Sequence, residues 1–412
     1  MKINFTRYLV VVALFFCCNN FTTAQVNVQD SLALVDFYNS LNGPNWFYFD
    51  NWLSDAPVPE WKGVTVTDNR VTELSLFNDP TGNLPASIGN LTELTRLNLA
   101  NCNLKGKIPS TIGNLTKLKF LSFNSSWGLR GTIPSSMGNL LNLEYLDFLG
   151  NKLEGSIPES LGNLINLKTL ELSGNHLAGS IPSTFNNLTN LEYFRVTIND
   201  LSATIPSLNK LKNLKALDLN FNAFTFAGME RIATQFSFAN YSPQHKIPIY
   251  RNGNKLSVQA GGHLENNTYK WYKDSVLIAT ITGDNKYHPT KSGQYYVAVT
   301  NSVATQLTLY SETFNYVKSN SLTDATANTL YSNAMVSPNP ATSNTTVSFN
   351  AKGKYTIAIT DFSGKILLSK TGISSATKNT YQFDVSKFAS GIYYITITDE
   401  NDNKQELKLN RQ

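Results

Sequence analysis

The sequence predicts a mainly β, multidomain chain: a solenoid of short parallel strands with helical caps, followed by two antiparallel β-sandwiches. Two observations carry this. Between Val71 and Asn222 one pattern is written seven times, opening at Val71, Leu94, Leu118, Leu143, Leu167, Leu191 and Leu214, an interval of 23 to 25 residues. A fixed period of that length marks stacked single rungs rather than helix pairs or propeller blades. Beyond residue 246 the apolar spacing changes to alternation in short runs separated by Gly, Asn and Asp, the pattern of half-buried antiparallel strands.

The clearest copy runs from Leu167 to Asn190. In it Leu167, Leu170 and Leu172 place apolar side chains on one side of a short strand, while Thr169, Glu171 and Ser173 alternate onto the other. Asn151, Asn175, Asn199 and Asn222 occupy the ninth position, where an amide can bond the backbone groups that a tight turn leaves open inside the coil. Leu177, Gly179, Ile181 and Pro182 carry each copy onward; glycine permits the bend and proline prevents a long helix on the outer side.

The Leu-x-x-Leu-x-Leu-x-x-Asn-x-Leu-x-Gly-x-Ile-Pro spelling of these copies resembles the plant-type class of leucine-rich repeats. That resemblance implies a right-handed leucine-rich-repeat solenoid over 71–240, closed at both ends. The first copy departs, with Leu84-Pro85 and no clear ninth-position Asn. The third has an extra residue near Ser126 and Trp127, with Ser126 in place of the Asn, which predicts a local bulge.

At 412 residues the chain has room for about three domains, and its formal charge of +5 is too mild and dispersed to point to nucleic acid. Lys2 and Arg7, the apolar run Leu9 to Phe16 and Thr22-Thr23-Ala24 form a signal peptide over 1–24, so export is expected. A lipoprotein reading through Cys17 fails because the preceding Phe16 is not small. No later stretch reaches ~20 apolar residues, so no membrane span is expected in the mature chain. Only Cys102 then remains, at the ninth position of the second copy, where it reads as a small buried filler. Residues 25–70 read as an N-terminal cap. Asp30 can start its helix, with Leu32, Val35, Tyr38 and Leu41 at helical spacing. Trp46, Trp52 and Trp61 are expected to seal the open end, and the stretch from Ala223 to Phe238 to close the other.

A partner can bind the outer strand row. Its third, fifth and seventh positions give Phe120, Tyr145 and Tyr193; Asp147, Glu171 and Arg195; and Leu149, Ser173 and Thr197. At about 4.8 Å per strand, seven strands make a concave ribbon roughly 30 Å long. Aromatics beside carboxylates and an arginine suit sugar stacking or a protein hot spot. Phe120, Tyr145, Asp147, Glu171, Tyr193 and Arg195 are therefore the candidate ligand-binding set for a protein or glycan, although Tyr and Phe also simply suit strands. At the second position Lys119, Glu144, Lys168, Glu192 and Lys215 alternate in sign, as a self-neutralising ladder. The Gly-Asn-Leu-Thr at Asn90 and Asn114 matches a glycosylation acceptor, but the repeat pattern alone explains it.

Trp271 on a central strand and Tyr295 two residues after Gly293 make residues 246–310 resemble an immunoglobulin-like β-sandwich, with Val258 and Val297 in place of a cysteine pair. Polar residues over 311–330 read as a linker. In the last stretch, 331–412, Pro338-Asn339-Pro340, Asp361 with Gly364-Lys365, and Asp384 followed by Gly391 resemble the C-terminal sorting domain of the bacterial type IX secretion system. Membership implies handling by that machinery, and a protein secreted or attached to the bacterial outer surface. The acidic run Asp399 to Asp402 lacks the spacing of a calcium loop. His176, His245, His263 and His288 are scattered, and no catalytic, phosphate-binding or metal motif appears, so neither an enzyme nor a cofactor is expected. The expected function is recognition of a protein or glycan; the alternative is a structural scaffold at the surface.

Overall fold

The computed structural model describes residues 26–49, 51–318, 334–350, 353–361, 365–374, 379–400 and 404–411. The expected signal peptide, most of the expected linker, and Gly364, Asn401 and Asp402 lie outside them. The chain divides into two compact units, one through Lys318 and one from Ser319.

The first unit is built on stacked rungs. An eight-stranded sheet begins with the antiparallel pair Val64–Thr67 and Arg70–Ser75 and continues in parallel through Arg96–Asn98, Phe120–Ser122, Tyr145–Asp147, Thr169–Glu171, Tyr193–Arg195 and Ala216–Asp218. The register is unbroken: Leu74, Leu97, Leu121, Leu146, Leu170, Phe194 and Leu217 follow one another strand to strand, all buried. Burying an aliphatic side chain of that size contributes roughly 1.5–3 kcal/mol, and the row repeats it on every rung. The first six rungs also carry a second short strand that the spacing did not disclose. Thr81–Asn83, Asn103–Gly106, Gly128–Gly131, Lys152–Gly155, His176–Gly179 and Asp200–Leu201 form a six-stranded sheet of their own. All but Thr81–Asn83 hold one buried leucine each, too few for alternation to show.

A single 3₁₀ turn closes each of the middle rungs, as at Ser110–Asn114 and Glu159–Asn163. The glycine of Gly-Asn-Leu is there for clearance: a Cβ on Gly113 would stand 2.4 Å from the Ser136 carbonyl of the next rung. In the third rung the extra residue is absorbed by Ser125 and Trp127, both at positive φ, with Trp127 turned out to solvent.

At the N-terminal end, helix Val28–Ser40 packs beside the first rungs, but not as the sequence suggested. Asn27, not Asp30, is its N-cap, accepting from Gln29 N at 2.8 Å. Asp30 is instead fully buried and bound by Arg70 (Nε–Oδ2 2.9 Å, Nη2–Oδ1 3.0 Å) and by Val71 N (2.8 Å). The buried stripe is Ala33, Leu34, Phe37 and Leu41, while Leu32 faces solvent. Trp46, Trp52 and Trp61 are buried with Phe37 and Phe49, and each indole N–H reaches a backbone carbonyl: Leu41, Lys62 and Ala56. The three large rings are thus buried with their polar edges satisfied.

At the other end, the seven-residue helix Met229–Gln235 leads into two further antiparallel sheets. One comprises Ile249–Asn252, Lys255–Val258 and Lys286–Tyr287; the other Val276–Thr282, Asn267–Lys273, Gly293–Asn301, Thr308–Tyr310 and Phe314–Tyr316. Their buried residues, Trp271 among them, belong to one hydrophobic cluster with the rungs. The polar stretch read as a linker from residue 311 does not start there. Phe314–Tyr316 pairs with Gly293–Tyr295, and Tyr316 is buried, because the two aromatics at alternate positions give that segment an inner face.

The second unit stacks Met335–Ser337, Asn344–Phe349 and Asn379–Asp384 in one sheet, and Ile366–Ser374, Gly353–Thr360, Gly391–Asp399 and Lys404–Arg411 in another. Val347, Phe349, Ile357, Ile359, Phe383, Ile395, Ile397 and Leu409 are among its core.

Candidate functional site

Two rows of side chains line the face of the eight-stranded sheet opposite its buried row. The register aligns Glu73, Arg96, Phe120, Tyr145, Thr169, Tyr193 and Ala216 in one row, and Ser75, Asn98, Ser122, Asp147, Glu171, Arg195 and Asp218 in the next. The Arg96 guanidinium lies 3.7 Å from the Phe120 ring centroid, and the Phe120 and Tyr145 rings are parallel, 4.5 Å apart and 3° inclined. Stacking of this kind is worth about 0.5–1.5 kcal/mol beyond burial, and it presents flat, half-buried aromatic surface. Farther along, Arg195 lies 5.1 Å and Lys215 6.0 Å from the Tyr193 centroid.

The six candidate ligand residues thus come together on one face but divide by role. Phe120, Tyr145, Tyr193 and Arg195 are partly exposed. Asp147 is only 3% exposed, and its carboxylate accepts from Asn124 Nδ2 (2.8 Å), Leu149 N (3.0 Å) and the Tyr145 hydroxyl (3.3 Å). It braces the face from beneath. Burial and the nearby Asp147 push the Tyr145 phenol up to about 12. The Glu171 carboxyl is also raised, chiefly by burial, with hydrogen bonds from Ser173 pulling the other way and Asp147 adding to the rise. Arg195 sits between two acids: its Nε is 3.1 Å from Asp218 and its Nη1 3.8 Å from Glu171. Of the second-position charges, Lys168 pairs with Glu144 at 2.7 Å and Lys215 with Glu192 at 2.6 Å, both on the exposed border.

Beneath the face runs the amide ladder. Asn175, Asn199 and Asn222 each donate to a carbonyl of the preceding rung (Phe148, Leu172 and Val196, at 2.9, 3.0 and 2.8 Å). Each also accepts from a backbone N–H of that rung (Leu153, Leu177 and Leu201, at 3.0, 2.9 and 3.0 Å). Asn151 donates to Phe123 O at 2.9 Å, but its buried Oδ1 has no partner, because the preceding rung is the one with the extra residue. Cys102, 1% exposed, points its thiol at Leu76 O (3.7 Å), and burial raises it to about 12, a filler in the ladder. One member went unread. Gln244 accepts from Phe224 N (3.0 Å) and donates to Leu219 O (3.0 Å), repeating the ladder's contacts after Asn222. Its position, 22 residues beyond Asn222, was the available signal.

In the second unit, Asn339 joins the start of the fold to its last strand, donating to Lys408 O (2.7 Å) and accepting from Asn410 N (2.8 Å). Pro338 and Pro340 flank it, and Thr345 donates to Pro338 O. Asp361 accepts from Lys365 N (3.1 Å), and Asp384 is held below the ordinary carboxyl value by hydrogen bonds from the Ser386 side chain and from Ser386 N (2.9 Å). Gly391 opens the strand Gly391–Asp399. These residues shape turns and edges of one small sandwich.

Residues 335–409 match the family model described as the secretion system C-terminal sorting domain. Residues 73–176 match that of a leucine-rich repeat region, and 166–188 that of a single leucine-rich repeat. The chain carries leucine-rich repeats and a type IX sorting domain. The sorting domain marks an exported protein, secreted or attached at the outer surface. Among the described residues no helix is long and apolar enough to cross a membrane.

No curated protein matches the chain. Similar solved structures include the plant peptide hormone receptor RGFR1 in complex with RGF2, 38% identical over 35% of this chain and 24% of that one, TM-score 0.34. A plant ice-binding protein is 30% identical over 53% and 72%, TM-score 0.45. The ectodomain of the Arabidopsis receptor kinase HAESA, in complex with an N-terminally extended IDA peptide hormone, is 29% identical over 53% and 41%, TM-score 0.42. The chain spans less than half the length of either receptor chain.

Proposed function

We propose that this exported protein is a noncatalytic recognition module that binds a protein or glycan partner on the open face of its eight-stranded sheet. The observation that carries the reading is the stack of Arg96, Phe120 and Tyr145 beside the Glu171–Arg195–Asp218 charge row. Flat aromatic area with adjacent hydrogen-bonding charge, held on a rigid sheet, binds with little loss of side-chain freedom.

The finer architecture follows the same reading. The Leu-x-Gly-x-Ile-Pro spelling supports the plant-type class of repeat, and helices Val28–Ser40 and Met229–Gln235 serve as its end caps. An immunoglobulin-like module over 246–310 is supported by fully buried Trp271 and by Tyr295, whose hydroxyl donates to Lys291 O at 2.6 Å as in a tyrosine corner.

The test is capture. Purified chain is screened against arrays of glycans and of secreted proteins, and Tyr145→Ala with Arg195→Ala is run beside it. Loss of capture by at least about tenfold, about 1.4 kcal/mol, is expected of a partner seated on the face. Undiminished capture by the double variant assigns the partner to another surface, and a chain that captures nothing favours a scaffold.

A further inference from the structure

The stack on the sheet face stops short, and where it stops says what continues it. Arg96, Phe120 and Tyr145 follow one another on consecutive strands, a cation on one ring and a second ring parallel to the first. The next member of that row is Thr169, whose side chain is too small to cover the outer face of Tyr145, and the one after it is Tyr193. Two strand spacings separate Tyr145 from Tyr193, about 10 Å. One flat group in contact at 3.5–4.0 Å on each side needs roughly 7–8 Å. The gap therefore admits a single planar group.

Its floor is acidic. Glu171 is the row neighbour of Asp147 and lies two positions along the strand from Thr169, so both side chains rise on the same face. The Glu171 side chain is only 12% exposed, and its nearest cation, Arg195, is nearer to Asp218 (3.1 Å) than to Glu171 (3.8 Å). Arg195 is thus shared between Asp218 and Glu171, whose Oε1 also accepts from Ser173 N at 2.9 Å, so with Asp147 three carboxylates of that row face one guanidinium and the half-buried Glu171 has room for a second cation. A sugar ring would stack on Tyr145 but bring no charge to Glu171. A lysine ammonium would bring charge but no plane. A guanidinium supplies both, and Arg96 already makes that contact at the other end of the stack.

Resting on the proposed binding face, the geometry points to an arginine side chain of a protein partner as the group that enters the Thr169 gap, stacked on Tyr145 and paired with Glu171. The partner is a protein with an exposed arginine, and this chain reads that residue.

The full chain is titrated by calorimetry with acetyl-Gly-Arg-Gly-amide and with its citrulline counterpart, which keeps the planar shape and removes the charge. Saturable binding of the arginine peptide is expected, at least tenfold tighter than the citrulline one. Glu171→Gln removes most of that preference. Thr169→Trp, which fills the gap from a partly exposed position, abolishes arginine binding without lowering the melting temperature. Equal binding of the two peptides, no saturable arginine binding up to about 10 mM, or binding unaltered in folded Thr169→Trp each overturns the inference. A captured glycan or protein that is lost with Tyr145→Ala and Arg195→Ala but kept by Thr169→Trp overturns it too, while leaving the binding face standing.

Discussion

Asn199 shows how much one side chain settles in a stacked coil. It is 3% exposed, donates to Leu172 O at 3.0 Å and to Val196 O at 3.2 Å, and accepts from Leu177 N at 2.9 Å. Alanine would leave those buried groups unpaired, so Asn199→Ala should cost roughly 2–3 kcal/mol in denaturant unfolding. Asn151→Ala should cost clearly less, because the Asn151 Oδ1 already lacks a partner. Equal losses for the two would contradict this account of the ladder. The ladder was legible because spacing alone places Asn151, Asn175, Asn199 and Asn222. Gln244 was not, since a longer amide after an interrupting helix serves the same carbonyl from outside the repeat pattern. The burial of Asp147 was equally hidden. Alternation assigns a residue to a face, but only the neighbouring rung brings Asn124 to its carboxylate, which the Tyr145 hydroxyl of its own strand also reaches.

At the scale of elements, helix Met229–Gln235 joins the rungs to the sheets beyond them through one carboxylate. Glu230 is buried and accepts from Asn301 Nδ2 (2.7 Å), Asn266 Nδ2 (3.1 Å), His263 N (3.1 Å) and the His263 ring. Burial works to raise its carboxyl, but the hydrogen bonds from His263, Asn301 and Asn266 together hold it below the ordinary 4.5. The same contact, with the Glu230 charge, raises His263 above 6.5. A raised histidine stabilises fully below 6.5, and its contribution is lost as pH rises through the folded value. A lowered carboxyl stabilises fully above 4.5 and loses its contribution as pH falls through the folded value. The melting-temperature difference between wild type and His263→Ala should therefore be largest between those limits and shrink toward alkaline pH. A difference that grows on going alkaline would contradict the pairing. No sequence pattern foretold this joint, whose members lie 33 to 71 residues apart. Asp30 was misread for a related reason. A local cap and a distant ion pair look the same in one dimension, and Arg70, 40 residues away, took the carboxylate.

The whole molecule combines leucine-rich repeats, whose sheet face we propose as the binding surface, with a sorting domain that marks it for export. The period of the repeats and the alternation of the last strands made the repeat region and the sorting domain readable from the sequence, because each is set by a pattern that repeats. What the partner is depends on side chains brought together from different rungs, and sequence order scatters them. The most direct test is hydroxyl-radical footprinting of the chain alone and in complex with a partner captured from the arrays. Phe120, Tyr145 and Tyr193 should become protected, while Tyr250 and Tyr310, half-exposed on the later sheets, keep their reactivity. Protection confined to Tyr250 and Tyr310, with the three face aromatics unchanged, would contradict the assignment of the sheet face as the binding surface.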